Sequence, residues 1–295
     1  MNKFKQFNPE SSYLLLLLPA LFIYCIFFIY PTLKTSWYSF TNWSDVNPVH
    51  VKFIGLDNYV ALFKDSIYMN GIKNTFIYAL LTMIGQNVLA IPLAVILNKN
   101  LITKNLLRAS FFLPGVFSVL VIGFLWSFMY STSDFGLINQ LLGSIGLKKI
   151  NFLGDPNLAL FSIILTQIWQ WVGYTMVIYL ANMQSISTEY YEAARIDGAT
   201  GFQSFRYITL PLLIPAISFC TVTAMISGLK VFDIIYALTG GGPGHSTESI
   251  VSLMLKKGLS DGFYGFGSAF GIVFVIIVGI ITFIHMSLIK LWERQ

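Results

Sequence analysis

Six long stretches of this chain contain no Asp, Glu, Lys or Arg, and they constrain its fold more than any other feature. They lie at residues 11–33, 74–98, 109–133, 156–188, 207–229 and 262–289. Each is longer than the roughly 20 residues that an α-helix needs to cross a hydrocarbon core about 30 Å thick. Because backbone groups in lipid must form their hydrogen bonds within the segment, each stretch is predicted to be a helix.

The composition agrees with a membrane location. Of the 295 residues, 56% are hydrophobic and only 11% are charged, whereas soluble domains are about 25% charged. We predict an all-α, multi-pass protein of the cell membrane that forms one domain over residues 1–295. Its six transmembrane helices are predicted at about 11–33, 74–98, 109–133, 157–183, 207–229 and 265–289.

The basic residues of the short loops and helix flanks indicate the orientation. Those on the side of the two termini are Lys3, Lys5, Lys99, Lys104 and Arg108. Positive residues near span ends favour the cytoplasm, so both termini are predicted to be cytoplasmic. The net charge of +5 is interpreted as contact of these residues with anionic membrane lipid, not with nucleic acid.

A short polar run separates the fourth and fifth stretches. Its pattern is E-A-A, three residues, G, nine residues and I-x-L-P, with signature residues Glu192, Ala193, Ala194, Gly198, Leu210 and Pro211. Ser187 and Thr188 are good N-cap residues, and Gly198 suits a left-handed C-cap. We therefore predict a helix at about 189–197 within a loop at 187–207. By physics alone, it could lie on the membrane surface or in a cleft of a partner.

The pattern, with its Ile-Asp-Gly-Ala extension, resembles the EAA loop of binding-protein-dependent ABC importer permeases. The resemblance implies the type I ABC importer permease fold and a loop that docks on a separate ATPase subunit. It implies that the coupling residues are Glu192, Ala193, Ala194, Asp197, Gly198, Leu210 and Pro211. The implied partners are a second permease in a heterodimer, two ATPase subunits that bind the ATP and Mg, and an extracytoplasmic sugar-binding protein.

Two further segments are similar to permeases of the carbohydrate type, the maltose and glycerol-phosphate group. They are residues 53–59 and the run from Phe232 to the glycine-rich turn at 240–244. That turn is not followed by Gly-Lys-Ser/Thr, so it does not match a phosphate-binding loop. With no Walker A sequence and no Cys/His metal spacing, we expect neither catalysis nor a bound cofactor or metal in this chain.

Candidate substrate residues lie on the fourth span. Gln167, Gln170, Trp171 and Tyr174 follow i, i+3, i+4, i+7 spacing and share a helical face. Polar side chains within a membrane usually face a bundle interior or a wet cavity. The same stripe would also suit helix–helix packing. Similar permeases carry sugar contacts on this helix, which favours a substrate path.

Three more residues complete the predicted path. They are Ser118, Ser227 and Lys230. Lys230 could instead pair with Asp233 at the membrane boundary. Gly267 and Gly271 predict close helix packing, including packing against a partner permease.

These observations together predict the transmembrane subunit of an ATP-driven sugar importer. One alternative is a permease for a non-sugar solute. The other is a self-sufficient secondary transporter, which should carry ionisable residues at mid-membrane. The six stretches lack them.

Overall fold

The computed structural model describes residues 9–46 and 48–292, and helices dominate this part of the chain. Its strand pairing is limited to one isolated antiparallel bridge between Thr41 and Phe53. The predicted all-α class is therefore confirmed. The helices are α1 (Pro9–Tyr24), α2 (Tyr30–Tyr38), α3 (Asp57–Lys64), α4 (Ser66–Leu97), α5 (Lys104–Val116), α6 (Val119–Met129), α7 (Leu137–Ser144), α8 (Ala159–Ser185), α9 (Thr188–Ile196), α10 (Gly201–Ser204), α11 (Leu210–Leu212), α12 (Ile214–Leu229), α13 (Asp233–Leu238), α14 (Ile250–Leu255) and α15 (Tyr264–Trp292). Short π-helical segments follow three of these helices, at Cys25–Ile29, Phe205–Thr209 and Lys256–Ser260.

Several helices are long and apolar enough to cross a membrane. By length and composition, the described residues contain four continuous candidates: Leu16–Tyr38, Ser66–Leu97, Ala159–Ser185 and Tyr264–Ile289. Two bent helix pairs also qualify if each pair is taken as one span, which raises the number to six. The six predicted crossings thus correspond to four continuous candidates and two bent pairs.

The breaks fall in the third and fifth predicted spans, which the sequence analysis treated as single helices. Helices α5 and α6 meet at 101°, and Gly201–Leu212 meets α12 at 64°. In the first pair, Pro114 and Gly115 are poor helix formers, and Phe117 and Ser118 are extended. In the second pair, Pro215 has no N–H for the carbonyl of Pro211, four residues earlier, so the helix bends there.

Helix α4 begins at Ser66, well before residue 74, where its span was predicted to start. The carboxylate of Asp65 accepts a hydrogen bond from the N–H of Ile67 at 2.8 Å and caps the helix. Lys73 therefore lies inside the helix, with its side chain exposed. A lysine near a span end can extend its amine to water, so it did not mark the end of the helix.

The chain separates into two compact units. The first contains the described residues up to Lys64 together with Met254–Val273. Within it, the buried amide of Asn58 donates to the carbonyls of Ser39 and Thr41, at 2.8 and 2.9 Å. The close packing predicted at Gly267 occurs inside this unit, because a Cβ there would lie 2.4 Å from the Cα of Gly258. Assignment of residues 1–295 to one domain stays a prediction.

The second unit contains Asp65–Leu253 and the described residues from Phe274 onward. Helices α4, α8 and α12 form its centre. Two buried hydrophobic clusters lie at different levels along these helices. One includes Tyr78, Ile163 and Ile234, and the other includes Ala94, Met176 and Leu213. Between the two clusters lie the buried Thr82, Gln86 and Asn87 of α4 and the buried Gln170 of α8.

Candidate functional site

A cavity of about 170 Å³ lies among α4, α8 and α12, between the two hydrophobic clusters. Its walls combine aromatic rings with uncharged polar groups. None of the described residues that line it carries a formal charge. The lining residues are Tyr78, Thr82, Gln86, Gln167, Trp171, Tyr174, Thr175, Ile178, Cys220, Thr223, Ala224, Ser227 and Gly228.

The structure brings together four of the seven predicted substrate-path residues. Gln167, Trp171 and Tyr174 project from α8, and Ser227 projects from α12. The rings of Trp171 and Tyr174 meet edge to face, with centroids 5.9 Å apart. Tyr174 keeps 47% of its surface exposed, so its ring is available to a bound molecule.

Gln170 belongs to the predicted stripe but lies outside the cavity lining. It is fully buried, and its side-chain amide donates to the carbonyl oxygen of Phe117 at 3.2 Å. Phe117 lies at the break between α5 and α6, where its carbonyl has no helical partner. At about 100° per residue, Gln170 points roughly 100° away from Trp171, toward that break. We interpret Gln170 as a residue that stabilises the bend between α5 and α6.

Ser118 and Lys230 also lie outside the cavity lining. Ser118 precedes α6 as its N-cap residue, but its hydroxyl does not accept a helix-capping hydrogen bond. Lys230 follows the last residue of α12 and is exposed. Both lie at helix ends, where the direction of a side chain depends on the break or cap and not on helical periodicity.

The α4 wall of the cavity was not among the predicted site residues. Tyr78, Thr82 and Gln86 line the cavity from this helix, and Thr223 adds to Ser227 on α12. Tyr78, Thr82 and Gln86 have i, i+4, i+8 spacing, which places them on one helical face. Uncharged polar residues with this spacing inside an apolar span were the signal that could have revealed this wall.

Three lining side chains have buried polar atoms without a hydrogen-bond partner among the described residues. They are the Tyr78 hydroxyl, the Gln167 Oε1 and the Trp171 indole nitrogen. Buried polar groups are nearly always paired, by protein, water or ligand. In contrast, the Thr82 and Thr223 hydroxyls donate to carbonyls of their own helices, at 2.7 and 2.8 Å. These three atoms are therefore unpaired beside the cavity, whose lining also carries the side-chain amide of Gln86 and the hydroxyl of Ser227.

Glycines bring the cavity walls close together. A Cβ on Gly228 of α12 would lie 2.6 Å from the Cα of Ala79 on α4. A Cβ on Gly173 of α8 would lie 1.8 Å from the carbonyl oxygen of Phe111 on α5. No side chain fits at either crossing, so these two glycines set the spacing of the helices around the cavity.

The polar loop after α8 folds as its sequence predicts. Helix α9 covers Thr188–Ile196, and the Ser187 hydroxyl accepts from the Glu189 N–H at 3.3 Å. Gly198 has a φ of +74°, and the Ala199 N–H donates to the Ala194 carbonyl at 2.9 Å. This is the left-handed cap that was predicted for Gly198.

The loop presents an uncommon surface for a polar segment. Glu192 and Ala193 are exposed, and Asp197 and Gly198 are exposed at the end of the helix. Two large apolar side chains accompany them: Ile196 is 87% exposed and Phe202 is 76% exposed. Small, acidic and apolar groups together provide a surface that a protein partner could cover.

The remaining signature residues lie where the loop enters α12. Leu210 is half-buried and Pro211 is exposed, both in the short α11. Thr209, immediately before them, is buried, and its hydroxyl lies 3.0 Å from that of Tyr191 on α9. This bond connects the exposed helix to the start of a cavity-lining segment. Among the described residues, no cluster of three His, Cys, Asp or Glu side chains could hold a metal ion.

Known proteins that resemble this chain include permease proteins of sugar transport systems. The multiple sugar-binding transport system permease protein MsmF of Streptococcus mutans is 34% identical over 98% of both chains. The trehalose/maltose transport system permease protein MalF of Thermococcus litoralis is 34% identical over 97% of this chain and 96% of its own length.

A solved structure shares the fold. It is a bacterial ABC transporter involved in the import of the acidic polysaccharide alginate. One of its chains superposes with a TM-score of 0.82 and 26% identity, over 95% of this chain and 96% of that one. The fold is therefore that of a type I ABC importer permease.

The family model for the binding-protein-dependent transport system inner membrane component matches residues 86–295. This match includes α8, α12 and the whole polar loop, and thus two cavity walls and every signature residue of the E-A-A pattern. The chain belongs to the family of inner-membrane permease components of binding-protein-dependent ABC transport systems.

Proposed function

We propose that this chain passes a neutral carbohydrate through the cavity among α4, α8 and α12. The observation that carries the proposal is the set of unpaired polar atoms on Tyr78, Gln167 and Trp171 beside exposed aromatic surface. A sugar offers hydroxyls to the polar atoms and C–H faces to the rings. The absence of charge among the described lining residues favours a neutral guest over an acidic one.

We infer that a second subunit completes the cavity. At about 170 Å³ it is smaller than the roughly 300–1,000 Å³ typical of ligand pockets. In our proposal, a second permease of the same fold provides the opposite wall. An extracytoplasmic binding protein delivers the sugar to this shared path. Relatives named as permeases of sugar transport systems support a sugar as the solute.

Energy is proposed to come from a separate ATPase pair. The E-A-A helix α9, with exposed Glu192, Ala193 and Ile196, is the docking surface. Closure of the ATPases on ATP would move α9. The Tyr191–Thr209 bond and the bent α11–α12 segment would transmit that movement to Ser227 in the cavity. The chain itself moves solute and performs no covalent step.

The test is sugar uptake by vesicles that contain the assembled transporter. Trp171→Ala should lower uptake of the transported sugar at least tenfold or change its sugar preference. The matched control is Trp169→Ala, because Trp169 points away from the cavity and packs against Trp126 with ring centroids 5.3 Å apart. Equal uptake and identical sugar profiles in both variants would contradict the cavity assignment.

A further inference from the structure

The short helix α7 has an uncovered apolar face. Leu137 and Leu141 lie one turn apart on the helix, Ile145 directly follows its last residue, and the three are 46%, 59% and 71% exposed. We call these three residues the α7 stripe. The adjacent face, with Ile138, Asn139 and Leu142, is buried or half-buried against the protein. The helix therefore packs with one face and leaves a second apolar face open.

Hydrogen bonds fix the orientation of α7. The buried amide of Asn139 donates to the carbonyls of Ser131 and Ile150, at 2.9 and 3.0 Å, and accepts from the N–H of Ile150 at 2.8 Å. Lys149 adds bonds to the Thr132 carbonyl and the Asp134 carboxylate, both at 3.1 Å. The α7 stripe thus has a set direction relative to the end of α6, and its exposure does not arise from a loose loop.

Two exposed phenyl rings link the end of α6 to the start of α7. Phe128, near the end of α6, and Phe135, just before α7, are 61% and 63% exposed. Their ring centroids lie 6.1 Å apart. If α5–α6 is a membrane span, the exposed rings at its end meet lipid, and a water-soluble partner on the stripe would have to lie beside that lipid. Lipid can cover both surfaces without a break.

Polar and basic groups border the stripe. Gln140 and Ser144 are exposed on the flank of α7 away from its packed face. Lys148, also exposed, follows Ile145 by three residues. An amphipathic helix with a basic residue at its edge suits a membrane–water interface, where apolar side chains enter the acyl boundary and lysine approaches lipid phosphates.

We propose that α7 lies in the membrane–water interface, with the α7 stripe in the acyl region and Lys148 beside phosphates of anionic lipid. The helix then fixes the depth at which the bent span α5–α6 leaves the membrane. Gln170 of α8 bonds to Phe117, just before the start of α6. In this arrangement α8 holds the start of α6, and α7 holds its end. The proposal concerns lipid contact and does not depend on the identity of the transported solute.

The test uses spin labels on the complete transporter in vesicles of phosphatidylethanolamine and phosphatidylglycerol. Single cysteines at Leu141, Ile145, Gln140 and Ser144 are labelled in a Cys25→Ala, Cys220→Ala background. Collision with oxygen reports lipid exposure, and collision with a nickel chelate reports water exposure. A label at Phe128 is the lipid reference, and one at Lys64, which is exposed, is the water reference.

We expect labels at Leu141 and Ile145 to resemble Phe128, with several-fold more nickel collision at Gln140 and Ser144. Nickel access at all four positions would place the helix in water and overturn the proposal. Low collision with both reagents at Leu141 and Ile145 would show that protein covers the stripe, and would also overturn it. Lys148→Glu should raise nickel access at Ile145; unchanged access would exclude the phosphate contact.

Discussion

The hydroxyl of Tyr191 on the exposed helix α9 lies 3.0 Å from the hydroxyl of Thr209, which is buried where the loop turns into α11. Tyr191 directly precedes Glu192 of the E-A-A signature, and Thr209 lies within its I-x-L-P segment. The two bonded residues are 18 positions apart in the sequence, and their bond connects the regions that carry the two halves of the signature. In the proposed coupling, this bond would carry a movement of α9 to the bent segment that continues into the cavity-lining α12.

Tyr191→Phe is expected to lower the amount of sugar transported per ATP hydrolysed. Loss of a hydrogen bond worth about 1 kcal/mol corresponds to a decrease of about fivefold in this transport-to-ATP ratio. Thr209→Val should have the same effect, and the double variant should be no worse than either single one. Transport and ATP hydrolysis are measured together on one vesicle preparation.

Tyr190→Phe is the matched control for this bond. Tyr190 is 57% exposed on the same helix, so loss of its hydroxyl should leave the transport-to-ATP ratio unchanged. If Tyr191→Phe behaves like Tyr190→Phe, the bond has no part in coupling.

Gln167→Leu and Gln170→Leu should have opposite phenotypes although the residues lie one helical turn apart. Gln170→Leu leaves the Phe117 carbonyl without its donor and should destabilise the complex by about 1–3 kcal/mol. Gln167→Leu removes a cavity group, and should reduce uptake or change sugar preference without lowering the melting temperature. Melting curves and uptake profiles of both purified complexes provide the comparison. If Gln167→Leu lowered the melting temperature and Gln170→Leu changed only uptake, Gln170 would be the cavity residue and Gln167 the structural one.

Gly198→Ala is predicted to strain the cap of α9, because glycine there has a φ of +74°. Since no atom lies within 4 Å of a Cβ at this position, the penalty is purely conformational, about 1–2 kcal/mol. Transport should fall, with weaker association of the ATPase subunits. Asparagine tolerates this backbone conformation better, so Gly198→Asn should retain more activity. Equal losses in both variants would point to a steric cause at the docked surface.

Gly173→Ala should destabilise the protein strongly. Its Cβ would lie 1.8 Å from the Phe111 carbonyl oxygen, so α5 and α8 must separate. We expect a loss of at least about 1–3 kcal/mol, together with displacement of the neighbouring Trp171 wall. In Gly279→Ala, on α15, the new methyl group would have no described atom within 4 Å. That variant should keep the wild-type melting temperature or slightly exceed it.

Cysteines at Ser187 and Lys148 should react from opposite sides of the membrane. Both residues are exposed, Ser187 before α9 and Lys148 after α7. If the positive flanks are cytoplasmic, an impermeant maleimide on intact cells should label Lys148→Cys and spare Ser187→Cys until the cells are opened. Labelling of both from outside would contradict the proposed orientation and the docking of α9 on a cytoplasmic ATPase.

The sequence determined the properties that depend on local chemistry. Apolar runs of sufficient length specify membrane helices wherever they occur, so the all-α class could be predicted from residue order. The cap at Ser187 and the left-handed Gly198 were predictable because each involves atoms only a few residues apart. The spacing of the E-A-A pattern similarly indicated the family that the comparisons show.

Tertiary structure decided which polar residues share a cavity. Gln167 and Gln170 occupy one predicted stripe, yet only Gln167 lines the cavity, because the α5–α6 break provides a carbonyl that binds Gln170. The wall formed by Tyr78, Thr82 and Gln86 depends on the close crossing of α4 and α12 at Gly228. Helical periodicity gives the direction of each side chain about its own axis, but only the packing of helices determines what that side chain meets.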